Sequence, residues 1–177
     1  IFSEGFKITV FRRYIKRIID VVFASASIVF ALPFLLIIPI LIKLDSRGSV
    51  LFKQKRLGEG ERIFTLFKFR SMIDGAEDHS GPVWSQSGDI RITNLGKLLR
   101  KTRLDEIPQL FNVISGNMSF IGPRPERPFF VESLKKQIPY YSERHCVKPG
   151  ITGWAQVRYQ YGDSMEDAIE KLRYDLY

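Results

Sequence analysis

A chain of 177 residues has material for one domain with a single core. Lys and Arg outnumber Asp and Glu by 27 to 19, and the net +8 points to anionic partners: nucleic acid, phospholipid headgroups or a nucleotide-sugar. The single cysteine, Cys146, excludes an internal disulfide and a cysteine-based zinc cluster, and is read as a packing residue.

Residues 1–12 read as a linker or N-terminal extension. Starting at Ile1 and stopping inside a helical pattern at Tyr177, the chain reads as a fragment at both ends. Residues 13–44 form a basic flank followed by a membrane segment. Arg12, Arg13, Lys16 and Arg17 lead into residues 21–42, which contain no charged side chain. Such a length ordinarily implies a spanning helix. Pro33 and Pro39 interrupt it, however, and the half before Pro33 would reach only about 18 Å at about 1.5 Å per residue. Both flanks are basic, so the positive-inside rule favours no orientation for a span and suits both ends on one side. A re-entrant helix-break-helix segment and a kinked span are both consistent with this pattern. Asp20 is expected to pair locally with Lys16 and Arg17.

Residues 45–177 read as a cytosolic domain. Two short strands are predicted over residues 50–55 and 63–69 around a Gly58–Gly60 turn, with Lys68 and Arg70 on one face and Phe67 and Phe69 on the other. Residues 74–92 are polar and Gly-rich, an ordered loop or lid containing His79 and Trp84. Thr93 or Asn94 caps a helix that turns Leu95, Leu98 and Leu99 inward. The domain is organised around residues 104–125, LDEIPQLFNVISGNMSFIGPRP. Here Asp105 and Glu106 precede an apolar stripe of Ile107, Leu110, Phe111 and Ile114 at helical spacing. Gly116 is a left-handed stop, and Arg124 sits in a stiff turn between two prolines. Taken alone, Asp105 is a helix cap. With Arg100, Lys101, Arg103 and Arg124 around it, the acidic pair suits a metal-bound phosphate. Beyond it, residues 128–138 form an amphipathic helix, residues 149–154 a Gly-rich turn that admits close backbone approach to a ligand, and residues 164–177 a structural helix. The sum is an α+β fold, predominantly helical, with a small β-hairpin.

LDEIPQLFNV, GNMSFIGPRPE and KPGITGWAQV, in this order, resemble the catalytic domain of bacterial sugar transferases. These are the monotopic phosphoglycosyl transferases that begin glycan assembly on a polyprenyl phosphate. The likeness covers residues 13–177, and GPVWSQSGDIRIT resembles the exopolysaccharide-initiating members. It implies a re-entrant segment broken at Pro33 and a catalytic domain on the cytoplasmic face of the bacterial inner membrane. The implied reaction moves a sugar-1-phosphate from a UDP-sugar to a polyprenyl phosphate lipid, with Asp105 attacking the sugar-bearing phosphorus. Glu106 would position Mg2+ or assist proton transfer, Asp105 and Glu106 being the metal ligands. Arg124 and Arg100 would hold phosphate, and Lys68 and Arg70 would contact nucleotide or phosphate. Gln54 and Arg56 match the family's pattern without an evident role. Self-association is compatible with the sequence. The rival readings are a single-displacement transferase in which the acids only bind metal, and a non-catalytic membrane-surface module. A nucleic-acid partner is disfavoured by the apolar run and by the lack of any nucleic-acid motif.

Overall fold

The structure, a computed structural model, describes residues 9–78, 89–159 and 164–177. His79 and Trp84 lie outside them.

The basic flank and the apolar run form one helix, α1, Val10–Asp45, with Pro33 and Pro39 inside it. The helix therefore runs through Pro33, where the resemblance implies a break. What each proline does remove is the N–H that would bond the carbonyl four residues back. Only 11% of the most apolar 18-residue stretch of α1 is buried.

Both ends of the apolar run nevertheless rest on the rest of the chain. Near the start, Arg17 donates to the carbonyls of Val113 and Ile114 at 2.5 and 2.6 Å. Asp20, only 4% exposed, accepts from Ser119 Oγ at 2.9 Å and from the Phe120 amide at 3.0 Å. Its Lys16 partner lies at 3.6 Å, so the local ion pair is present but is the smaller part of Asp20's role. Near the end, Ile38 and Ile42 pack on Phe69 and Leu99.

Strands β1 (Leu51–Leu57) and β2 (Ile63–Phe69) form an antiparallel hairpin, Leu51 opposite Phe69 and Leu57 opposite Ile63. Its turn contains Gly60 at φ 62°. The hairpin links three apolar clusters. Leu57 joins Val131, Leu134, Ile138, Tyr141 and Leu172. Phe64 and Leu66 join Ala24, Val113 and Met118. Phe69 joins the end of α1.

Helix α2, Asn94–Thr102, begins with Thr93 accepting from the Gly96 amide, as its sequence predicts. Helix α3, Gln109–Ile114, is tied to β2 by buried Asn112, which accepts from the Phe67 amide at 3.1 Å and donates to the Thr65 carbonyl at 2.8 Å. One side-chain amide thus supplies the hydrogen bonds that a neighbouring strand would. Strand β3 (Ser119–Ile121) pairs in parallel with β4 (Gly150–Thr152). Helices α4 (Pro128–Gln137), α5 (Trp154–Arg158) and α6 (Met165–Leu176) complete the described residues, α6 opening with a Ser164–Asp167 capping box.

Two expectations are corrected. Leu98, which helical spacing turned inward, is 56% exposed, and on the apolar stripe Phe111 and Ile114 are likewise exposed, by 47% and 38%. Spacing identifies an apolar face, not what covers it. The Gly-rich turn brings backbone against backbone: a Cβ on Gly150 would lie 2.2 Å from the Gly122 nitrogen. Cys146 is exposed rather than packed.

Candidate active site

The two acidic residues lie in the 3-10 turn Leu104–Glu106 between α2 and α3. Arg103 makes the turn possible by adopting a left-handed conformation, φ 59°, that ends α2 and redirects the chain. Both carboxyl groups are thereby carried inward, and both residues are buried. Asp105 does not cap α3, which begins at Gln109. Its Oδ1 is buried and receives no hydrogen bond among the described residues.

Glu106 is the opposite case. Its Oε1 accepts from Lys68 Nζ at 2.7 Å and from Arg124 Nη2 at 3.0 Å, with Arg103 Nη1 at 3.9 Å. Burial opposes its ionisation, but the charges and hydrogen bonds of Arg124 and Lys68 outweigh that penalty and hold it down at about 2. Burial, followed by the charge of Arg124, lowers Lys68 to about 8 despite Glu106. Burial also pushes the Asp105 carboxyl above its ordinary range, and adjacent Glu106 adds to this against the pull of Lys68, Arg100 and Arg103.

A cavity of about 690 Å3 opens in front of the turn, and Lys68, Arg70, Arg100, Asp105, Glu106 and Arg124 all line it. All six residues singled out in the sequence thus converge. A second hollow, of about 610 Å3 beside Tyr14 and Trp154, contains none of them. Arg100 donates to Ser71 Oγ at 2.8 Å, and Arg124 Nη1 to Gln156 Oε1 at 3.0 Å. Arg70 departs from expectation. Its guanidinium donates to the carbonyls of Ser46 and Arg47 at 2.8 and 2.7 Å, closing the C-terminal end of α1, where unpaired carbonyls attract a cation.

Four more arginines line the cavity: Arg56, Arg91, Arg103 and Arg127. The role of the Gln54–Arg56 pair becomes visible here. Gln54 Oε1 accepts from Arg56, whose Nη1 donates to the Pro125 carbonyl at 2.9 Å beside Arg124. Arg127 makes a two-point contact with Glu77 at 3.0 and 2.8 Å, and Arg91 holds Asp89 and the Ala76 carbonyl. In sequence these residues are scattered: Arg103, next to the acids, and Arg56, which matches the family's pattern, carried a signal, and Arg91 and Arg127 did not.

The donor set fits a hard divalent ion in part. Mg2+ is held through one or two carboxylates together with substrate phosphates, and the unpartnered Oδ1 of Asp105 suits that. Glu106 fits less well, because Oε1 is already held by Lys68 and Arg124.

A buried carboxylate with one unbonded oxygen among convergent cations suits chemistry on phosphate esters. Comparison with known proteins agrees: residues 11–177 match the family described as bacterial sugar transferase. The chain belongs to that family. Among individual relatives, it is similar to the UDP-N-acetylgalactosamine-undecaprenyl-phosphate N-acetylgalactosaminephosphotransferase of Aeromonas hydrophila, 47% identical over 164 residues, covering 93% of this chain and 38% of that one. The UDP-glucose:undecaprenyl-phosphate glucose-1-phosphate transferase of Xanthomonas campestris pv. campestris is 42% identical over 165 residues, covering 91% of this chain and 34% of that one. The exopolysaccharide production protein PSS of Rhizobium leguminosarum bv. phaseoli is 40% identical over 171 residues, covering 92% and 84%. The chain therefore spans only about a third of the length of the two named transferases, while matching most of the third relative. As a member of this sugar transferase family, it carries Asp105 and Glu106 in the lining of the charged cavity.

Proposed function

We propose that the chain is the catalytic part of a phosphoglycosyl transferase that moves a sugar-1-phosphate from a UDP-sugar to a polyprenyl phosphate, initiating exopolysaccharide or glycan assembly. The observation that carries this reading is the division of labour between the adjacent acids. Glu106 is engaged by cations, while Asp105 lines a cavity that can neutralise a diphosphate and keeps a buried Oδ1 with no hydrogen bond among the described residues.

In the first step an Asp105 carboxylate oxygen forms a bond to the sugar-bearing phosphorus. The bond from that phosphorus to the bridging oxygen breaks, and its electron pair leaves on UMP. In the second step a lipid phosphate oxygen attacks the same phosphorus and displaces the carboxylate, regenerating Asp105 and giving a sugar diphospholipid. Lys68 and Arg124 compensate the charge of the departing nucleotide, and Glu106 keeps the two cations together before substrate arrives. A Mg2+ held by Asp105 and substrate oxygens would supply further charge neutralisation.

The re-entrant reading of α1, with both ends on the cytoplasmic side of the inner membrane, draws support from packing. Asp20 and Ala24 at one end of the uncharged run, and Ile38 and Ile42 at the other, are buried against the same domain. A bilayer with a hydrocarbon core of about 30 Å would have to separate those ends in a simple span. Exposed Leu98, Phe111 and Ile114 lie on α2 and α3, both of which pack against α1, so the apolar surface continues beyond the helix. Seated there, the site meets a phosphate at headgroup depth.

The test uses the membrane-bound protein with a panel of UDP-sugars. Asp105→Asn is expected to abolish UMP release without any lipid acceptor, and the wild-type protein to retain a labelled sugar-phosphate after quenching. UMP release by the variant would remove the nucleophile assignment; release by wild type with no trapped label would favour single displacement.

A further inference from the structure

We infer that Arg144, which does not line the cavity, is a positioning residue that sets the substrate-facing Arg124 by holding its backbone from the protein interior. The inference rests on the reading of Arg124 as a phosphate clamp.

The turn that carries Arg124 has an unusual backbone. Pro123 and Pro125 have no N–H, so the turn cannot be stabilised by donating from these positions. Instead, four consecutive carbonyls accept from three separate places in the chain, around residues 56–57, 144 and 150. Pro123 O accepts from the Gly150 amide at 2.9 Å, and Arg124 O from Arg144 Nη2 at 3.1 Å. Pro125 O accepts from Arg56 Nη1 at 2.9 Å, and Glu126 O from the Leu57 amide at 3.0 Å. The bond to residue 124 itself comes from a guanidinium.

That guanidinium is expensive to bury. Arg144 is 6% exposed, and its charge is met by Asp175 at 2.7 Å, a side chain only 2% exposed. Nη1 donates to the Tyr141 hydroxyl at 2.5 Å. A buried ion pair of this kind is weak support for stability, since well-packed apolar residues often replace it without loss. Apolar residues could also join α6 to the 3-10 helix Tyr141–Cys146, but they could not donate to the Arg124 carbonyl. On the outer side, the Arg124 guanidinium meets Gln156 and Glu106, so the residue is held at its backbone by Arg144 and at its tip by the site. Displacement by about 1 Å is enough to cost up to about a hundredfold in rate at such a position.

A double-mutant cycle on the membrane-bound protein tests this, measuring kcat/KM for UMP release and the affinity for UDP. Arg144→Lys keeps the charge but cannot span the same three partners. It is expected to lower kcat/KM about tenfold in the wild-type background and less than twofold when Arg124→Ala is already present, because coupled residues are non-additive. A residue that matters only for folding would lower both backgrounds by the same factor, and that result, or no loss at all, overturns the inference. If Arg144→Lys does not yield folded protein, the charge-neutral pair Arg144→Gln with Asp175→Asn goes through the same cycle with the same criterion. Wild-type protein that neither binds UDP nor releases UMP overturns the proposed function and this role together; an active wild type with equal factors overturns this role alone.

Discussion

The cavity and the face along α1 are built in opposite ways. In the cavity, charged side chains are drawn inward: Glu106 and Asp105 are buried, and Lys68 and Arg70 turn away from bulk water. Along α1 and its neighbours, large apolar side chains are turned outward, Phe30 to 83% and Val29 to 70% exposure. In a chain surrounded only by water both arrangements would carry a free-energy cost. They are reconciled if a bilayer covers the apolar face and a phosphorylated ligand enters the charged cavity. The contrast teaches that each region is shaped for something other than water.

The strongest way to break this contrast is at Asp105, whose buried Oδ1 has no hydrogen bond among the described residues. Asp105→Asn is expected to cost about a thousandfold or more in UMP release, the scale seen when a nucleophile is removed. The neighbouring acid provides a graded version. Glu106→Gln frees Lys68 and Arg124 from their shared anchor, and a loss of about ten- to a hundredfold in kcat/KM is expected.

The pH profile sharpens the same point. Because burial raises the Asp105 pKa, activity should fall with acid above the ordinary aspartate range, as the nucleophile protonates. Because Lys68 is lowered to about 8, kcat/KM should fall again as pH rises through that value and the ammonium loses its charge. Glu106 raises Lys68, so Glu106→Gln should move the alkaline limb to lower pH.

The smallest effect is expected on the apolar side. Phe111→Ser removes one exposed aromatic from the α3 surface. Burying such a side chain is worth about 1.5–3 kcal/mol at most, so liposome binding should weaken by about tenfold. UMP release in detergent should stay near wild type. A fall in detergent activity with unchanged liposome binding would place Phe111 in the catalytic domain's packing instead.

Much of this was legible before any coordinates. The hairpin is where alternation and Gly60 predict it, within a residue or two at its ends. The α2 cap, the left-handed Gly116 and the convergence of Lys68, Arg100, Asp105, Glu106 and Arg124 were also written in local pattern and resemblance. Arg70 was not. Alternation put it beside Lys68 and it does line the cavity, but its guanidinium is taken up by the carbonyls of Ser46 and Arg47 just past α1, more than twenty residues away in sequence. Leu98 was misassigned, and the exposure of Phe111 and Ile114 was not foreseen, because periodicity reads the same for a face buried in protein and a face left bare.

By itself, the sequence determined where the chain turns, which stretches are apolar, and that two acids and a guanidinium recur in a sugar transferase pattern. Those are properties of neighbouring residues, set by local sterics and periodicity. Only the tertiary structure decided that Glu106 is held by Lys68 and Arg124 while Asp105 is not, and that Arg144 reaches the Arg124 carbonyl from the interior. Those outcomes depend on which distant side chains compete for the same buried atoms, and that competition exists only once the chain is folded.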